Sequence, residues 1–336
     1  MSVLSDPTGY NRLLMPITVR SFAKINLGLA IGPCREDGYH ALRTIYQTVA
    51  IHDVIKVDAG RGVGIEIRSK DPRVPQDETN TCWRVADRVM RSLRQRAKVV
   101  ITIEKRLPVQ GGIGGGSSNA VATMFALEKA LKYQLPPSER LRIASEVGSD
   151  LPLFLVGGTV LGCGRGEEVW PLPDMPAWNI VIATPNIGVS TPAAFRQWDE
   201  LARKEAKLTE NGSSDRISMF SRSAFGWLTG PTTGVPAKSG DRAETLLLDL
   251  VRAGIENDFE RVVFPEYPEL RDVKRVLERE GARFASLSGS GSTVFGLFDS
   301  SKAAEKAAEK LAGEGVPAQA TKTLTRSEYW KQMFGK

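Results

Sequence analysis

Residues 106–120 read RLPVQGGIGGGSSNA, with five glycines between Gly111 and Gly116, then Ser117, Ser118 and Asn119. So many glycines let a backbone approach a ligand closely and turn its N–H groups toward it. An apolar helical pattern begins near Ser117, which would add the positive end of a helix dipole. The chemistry this suits is phosphate binding. The run is not a Walker A loop, because Ser117 stands where the lysine belongs. It also fails the dinucleotide fingerprint, since Gly114-x-Gly116 is followed at the third position by Asn119. A flexible surface loop is the plain alternative. An apolar strand pattern before the run and a helix pattern after it argue against that.

Four other places carry polar groups in suggestive contexts. Lys24 and Asn26 are two residues apart in a strand pattern and so share a face. A lysine there is ordinarily a solvated edge residue. The asparagine suits a sugar or polyol hydroxyl, or is simply a polar strand residue. Asp37-Gly38-Tyr39-His40 reads first as a turn. Tyr39 nevertheless offers a flat face to a base, and His40 offers two ring nitrogens to its edge. Asp150, ahead of Leu151-Pro152, has the position of a helix cap. Gly289-Ser290-Gly291-Ser292 lies between two strand patterns, the place of a hairpin turn.

The elements that position these residues follow from periodicity. Residues 17–31 alternate as two short strands, and further strands are expected near 44–50, 53–58, 63–68 and 98–104. Helices are expected over 78–94, 117–132 and 138–147, the last capped by Ser138. A short helix follows Asp150, with Pro152 early in it, and strands fit 159–161 and 168–170. Beyond a strand at 178–184, residues 199–243 are polar and predict a long excursion with at most partial order. Helices then fit 243–256, 268–281 and 300–313, with strands at 283–288, 293–298 and 316–322. That order suggests a split β-α-β arrangement. The domains expected are an arm at 1–16, a first domain at 17–176, a second at 177–325 and a tail at 326–336.

Composition narrows the function classes. The 336 residues, 41% hydrophobic and 25% charged, allow two globular domains. No apolar run reaches membrane-spanning length, and Leu13-Leu14-Met15 is too short for a secretory core, so no membrane partner and a cytoplasmic location are expected. Cys34, Cys82 and Cys163 have no metal or disulfide spacing, and two histidines cannot build a histidine-rich metal site. The net charge of +6 could attract polyanions, but the basic residues are scattered and no nucleic-acid motif appears. Small anionic ligands are the expected partners.

Three segments, SFAKINLGL at 21–29, PVQGGIGGGSSNA at 108–120 and SLSGSGSTVFGLF at 286–298, together resemble the GHMP small-molecule kinase superfamily. DGYHAL at 37–42, GSDLPLFL at 148–155 and STPAAF at 190–195 resemble its branch whose alcohol substrate carries a cytidine diphosphate. The resemblance implies an α+β, two-domain fold. Its N-terminal domain would be of the ribosomal-protein-S5-domain-2 type, nucleotide-binding and catalytic. Its C-terminal domain would be a ferredoxin-like split β-α-β unit on the substrate side. It implies ATP- and Mg²⁺-dependent phosphorylation of the 2-hydroxyl of 4-diphosphocytidyl-2-C-methyl-D-erythritol, by a monomer or weak homodimer. Lys24 and Asp150 would be catalytic. Gly112, Gly114, Gly115, Gly116, Ser117 and Ser118 would hold ATP, with Asn80 and Lys105 near its adenine and Ser118 a possible ligand of the phosphate-bound Mg²⁺. Asn26, Tyr39, His40, Tyr46, Thr191 and Phe195 would hold the substrate, with Phe195 closing the face of cytosine opposite Tyr39, and Gly289–Ser292 would shape the cleft. Gln110 and Asn119 depart from the resembled pattern, where a small residue and an aspartate are common. Two other functions share these features: a kinase of the homoserine or mevalonate type, and a non-catalytic ligand-binding protein on the same fold.

Overall fold

The computed structural model describes residues 16–109, 111–206, 214–229 and 255–335. Residues 1–15 of the expected arm, Gln110, and residues 243–254 of an expected helix lie outside them.

Two long antiparallel strands, β1 (Ile17–Cys34) and β2 (His40–Gly60), replace the four short ones expected. The cause is bulging. Between the pairs Phe22↔His52 and Ala23↔Val49, residues 50 and 51 are extra; between Asn26↔Tyr46 and Gly28↔Ile45, Leu27 is extra. The single extra residue resets the two-residue alternation and the two extra ones interrupt the pairing, so the pattern breaks where the strand does not. β3 (Gly64–Ser69), β4 (Lys98–Glu104), β5 (Thr159–Cys163) and β6 (Glu168–Pro171) complete a six-stranded sheet ordered β3-β4-β2-β5-β6, with β1 on β2.

Helices α1 (Thr81–Ser92), α2 (Gly115–Leu131) and α3 (Pro137–Val147) contribute to the first core with this sheet. Residues 118–128 of α2 are all buried, as expected of a helix apolar on nearly every side. Ser138 does not cap α3. The cap is Pro136, and Pro137 takes the first helical position, where a missing N–H costs little. The one-turn α4 (Leu151–Phe154) follows Asp150.

The second sheet holds β7 (Asn179–Ala183), β8 (Phe284–Leu287), β9 (Val294–Phe298) and β10 (Ala318–Lys322), ordered β10-β7-β9-β8. In chain order its strands run fourth, first, third, second, the ferredoxin-like arrangement. The expected excursion is partly helical instead: α5 (Thr191–Ala206) runs into it and α6 (Ser214–Thr229) lies within it. Polarity there marks helix faces, with Trp198, Phe220 and Ala224 buried. Residues 255 and 256 are not helical. α7 (Glu260–Glu266), α8 (Pro268–Arg279) and α9 (Ser301–Gly313) supply apolar residues to the core on this sheet. A third core lies between the sheets and joins Ile25 and Leu27 of β1 to Ile180, Phe295 and Leu297. Strand β1 is therefore buried on both faces along residues 21–32.

Residues 326–333 form a helix, α10 (Arg326–Met333), started by a capping box on Thr325 and Glu328. Its Tyr329 is fully buried, packs on Phe22, and donates to the Phe154 carbonyl at 2.7 Å. The tail thus braces the helix that follows Asp150. Tyr329→Ala should cost about 3–5 kcal/mol, as truncations of large buried aromatics do. Tyr329→Phe should cost about 1–3 kcal/mol by leaving the carbonyl unpaired. Thermal unfolding of both variants checks this; unchanged melting temperatures would contradict the bracing role.

Candidate active site

Lys24 projects from the middle of β1 into the protein and is almost wholly buried. A buried ammonium needs partners. Its Nζ donates to Asn26 Oδ1 at 2.7 Å and to the Gly112 carbonyl at 2.8 Å, and lies 3.4 Å from Asp150 Oδ2. Tyr46 extends from β2 beneath it and donates its hydroxyl to Asp150 Oδ1 at 3.1 Å. Burial, then the Asp150 charge, holds the Tyr46 phenol well above its ordinary range, so it remains a donor. Asp150 occupies the N-cap position of α4, yet its side chain makes no capping bond. Its carboxylate is instead turned to Lys24 and Tyr46 and is about a third exposed, at 34%. Asn26 has both ends of its amide engaged, its Nδ2 donating to Thr44 Oγ1 at 2.7 Å. It positions Lys24, and it also lines the cavity in which a hydroxyl of a ligand was the expected partner.

The glycine run passes over this cluster. Gly112 and Gly114 have φ of +73° and +70°, conformations that glycine adopts without strain. A Cβ at Gly112 would lie 2.5 Å from the Ser288 carbonyl, so no side chain fits there. The second loop presses from the other side. Ser288 Oγ donates to the Gly112 carbonyl at 3.2 Å, and Thr293 N–H donates to the Gly111 carbonyl at 3.2 Å. Gly289–Ser292 is thus a turn and a wall of the cleft at once. Asn257 steadies it, donating to the Leu287 and Gly289 carbonyls at 2.8 and 2.7 Å.

Two cavities meet at Gly112 and Gly114. One, of about 390 Å³, is lined by the glycine run, Ser117, Asn119, Asn80, Cys82 and Lys105. Asn80 caps α1, its Oδ1 accepting from Cys82 N–H at 2.9 Å, and its Nδ2 donates to the Pro75 carbonyl. Gly115 and Gly116 open α2 at the cavity wall. Ser118 lies behind that wall, buried, accepting from the Ser21 hydroxyl at 2.7 Å. Of the two serines, Ser117 is the one that lines the cavity.

The other cavity, of about 610 Å³, reaches from Lys24, Asn26, Tyr46 and Asp150 to Tyr39, His40, Thr191 and Phe195. Thr191 opens α5 and shares a 2.7 Å hydrogen bond with Ser290 of the second loop. His40 is buried and stacks on Phe195 with ring centroids 4.9 Å apart and planes at 11°. Phe259 meets Phe195 edge-on. The imidazole covers one face of Phe195, the ring expected to close cytosine opposite Tyr39, and both aromatics line the cavity. Tyr39 is 53% exposed, with Arg165 over its ring at 4.7 Å. His40 Nε2 donates to Asp199 Oδ1 at 2.8 Å. A carboxylate only accepts, so the proton of this bond sits on Nε2.

Sequence reasoning missed Asp199, Arg165, Asn257 and Asp53. Asp199 follows Phe195 by four residues, helix-face spacing, but fell inside the stretch read as an excursion. Arg165 sat in a turn with no pattern of its own. Asp53 had a signal, a charge at an inward position of an apolar strand.

The family described as GHMP kinases N terminal domain matches residues 80–158, and GHMP kinases C terminal matches residues 242–317. The chain belongs to the GHMP kinases. Its curated relatives include the 4-diphosphocytidyl-2-C-methyl-D-erythritol kinase of Solibacter usitatus (strain Ellin6076), 37% identical, covering 87% of this chain and 84% of the relative. The enzyme so named from Rhodococcus jostii (strain RHA1) is 33% identical, covering 90% of both chains. A crystal structure of 4-(cytidine 5'-diphospho)-2C-methyl-D-erythritol kinase superposes with a TM-score of 0.68 at 28% identity, covering 91% of this chain and 98% of that one. A homoserine kinase from Cytophaga hutchinsonii reaches a TM-score of 0.69 at 20% identity, covering 94% and 96%, a likeness of fold alone.

Cys82 tests the packing of the smaller cavity's wall. Burial pushes its thiol up to about 12, and Cys163 is raised for the same reason, whereas Cys34 is exposed. The thiolate is the reactive form. Iodoacetamide at pH 8 should therefore label Cys34 first and Cys82 last, read by peptide mass spectrometry. Early labelling of Cys82 would contradict a closed wall.

Proposed function

We propose that this kinase transfers the γ-phosphoryl group of ATP to the 2-hydroxyl of 4-diphosphocytidyl-2-C-methyl-D-erythritol, in the non-mevalonate route to isoprenoid precursors. The observation that carries the reading is the Lys24–Asp150 pair, 3.4 Å apart where two cavities of different character meet. Relatives bearing that enzyme name span nearly the whole chain.

Phosphoryl transfer asks for positioning and charge neutralisation. The glycine-lined cavity suits a nucleotide triphosphate: two of its glycines turn the backbone through positive φ, and the N-terminus of α2 opens on it. Asp150 accepts the proton of the attacking hydroxyl as the new O–P bond forms and the bond to the leaving ADP breaks. Lys24 orients that carboxylate and offsets charge on the attacking oxygen. Tyr46 holds the carboxylate in place. Among the described residues no group of three or more His, Cys, Asp and Glu could hold a metal. Mg²⁺ would come with the ATP phosphates and offset their charge, with the Ser117 hydroxyl, which lines the same cavity, on the protein side.

The larger cavity supports a base-bearing alcohol. With Nε2 held by Asp199, a neutral His40 ring would offer Nδ1 as an acceptor, which suits the 4-amino donor of cytosine and not the carbonyl of uracil. Tyr39 supplies an aromatic face, and Phe195 with Asp199 keeps the imidazole in its plane. Thr191 and Ser290 line the middle of the same cavity. Homoserine and mevalonate carry no base for such a constellation.

Purified protein with ATP, Mg²⁺ and a panel of alcohols tests the assignment through ADP release. The cytidylyl substrate should turn over fastest; faster turnover of homoserine or mevalonate would contradict it. His40→Ala should raise KM for the cytidylyl substrate about tenfold, the worth of one well-placed hydrogen bond, and leave KM for ATP unchanged. It should also narrow the gap between CDP and UDP binding. Equal losses for CDP, UDP and ATP in calorimetry would remove His40 from base reading.

A further inference from the structure

Behind the smaller cavity lies a carboxylate that the proposed transfer does not use. Asp53, in β2, is fully buried. Its two oxygens divide the work. Oδ1 accepts from the main-chain N–H groups of Arg106 and Leu107, both at 2.7 Å. Oδ2 accepts from Lys105 Nζ at 2.6 Å and from Asn119 Nδ2 at 2.9 Å. Four donors on one ionised, acceptor-only group compensate its removal from water.

Each half reaches the cavity differently. Arg106 and Leu107 are where the chain leaves β4 and heads into the glycine run. Lys105 and Asn119 are themselves cavity-lining residues. A Cβ at Gly115 would lie 3.2 Å from Lys105 Nζ, so that ammonium sits against the first turn of α2. The carboxylate also dictates which end of the Asn119 amide faces it: only the nitrogen can. Asn119 Oδ1 is thereby turned away, buried and without a hydrogen-bond partner. Buried acceptors without donors are rare, and this one belongs to a cavity wall.

We infer that Asp53 is a positioning residue for the nucleotide. Through Oδ1 it sets the direction in which the chain enters the phosphate loop. Through Oδ2 it fixes an ammonium and an amide on the floor of the same cavity. The inference rests on reading that cavity as the ATP site.

An exchange of groups tests it. In Asp53→Asn the oxygen can stay on the two main-chain N–H groups, and the new amide nitrogen then faces two donors. KM for ATP should rise about tenfold or more, the cost of losing a charged acceptor. The alcohol's KM and kcat at saturating ATP should stay within about twofold. Combining Asp53→Asn with Asn119→Asp swaps carboxylate and amide, so position 119 accepts from Lys105 and from the amide at 53. The double variant should regain most of the ATP affinity, which a merely structural role for Asp53 would not produce. Losses shared equally by ATP and the alcohol, a loss confined to kcat, or a double variant no better than the single would overturn the inference. Should Asp53→Asn fail to fold, Lys105→Met decides. Raised KM for ATP with unchanged KM for the alcohol supports the inference, and unchanged KM for ATP overturns it. Calorimetry of the wild-type protein with ATP separates the layers. No binding there removes the nucleotide reading and the inference together. Normal wild-type binding with equal binding by Asp53→Asn removes Asp53 alone.

Discussion

The buried ammonium of Lys24 is the constraint around which the site is built. Taking such a charge out of water costs several kcal/mol unless hydrogen-bonding partners replace the water. Here they come from three parts of the chain: Asn26 on the same strand, the Gly112 carbonyl and the Asp150 carboxylate. Each partner is fixed in turn. Thr44 takes the nitrogen of the Asn26 amide, so the oxygen must face Lys24. The Ser288 hydroxyl binds the Gly112 carbonyl from the opposite side. Tyr46 holds the second oxygen of Asp150. A lysine so held is a fixed positive charge at a place where phosphoryl transfer develops negative charge, and it requires no reorganisation at the moment of reaction.

This requirement explains why neither domain is sufficient. β1 carries Lys24 and belongs to the first sheet, with its inner residues shared among the three cores. The loop between β8 and β9 closes over the glycine run, and Asn257 keeps that loop in register by binding two of its carbonyls. The acceptor cavity is assembled likewise, His40 coming from the first domain and Phe195 and Asp199 from α5.

Much of this was legible in the sequence where chemistry and backbone demand coincide. The glycine run, Lys24, Asp150, and the pairing of DGYH with STPAAF all fall at the two adjoining cavities. A close backbone approach demands glycine, and a polar residue in an apolar strand must find a partner to offset its burial. The order of elements gave away the ferredoxin-like unit. Strand continuity was not legible, since bulges at residue 27 and at residues 50–51 break alternation without ending a strand. Nor was the hold of Asn26 on Lys24, nor the stacking of His40 on Phe195, which depends on a tertiary contact between residues far apart in sequence. Asp199 was hidden by polarity: a charged residue on a helix face and one in an irregular stretch look alike until the helix is seen. Asp53 was readable as an anomaly, but its four donors are scattered over residues 105–119 and no spacing announces them.

A double-mutant cycle on Lys24 and Asp150, read by single-turnover phosphoryl transfer, tests the central claim most directly. Lys24→Met and Asp150→Asn should each slow the chemical step by about 10²-fold or more, within the range of a lost general base or charge stabiliser. If the ammonium acts by holding the carboxylate ready for the proton, the double variant should be little slower than the worse single variant, because either change disables the same unit. Losses that multiply would contradict that account and make Lys24 and Asp150 independent contributors.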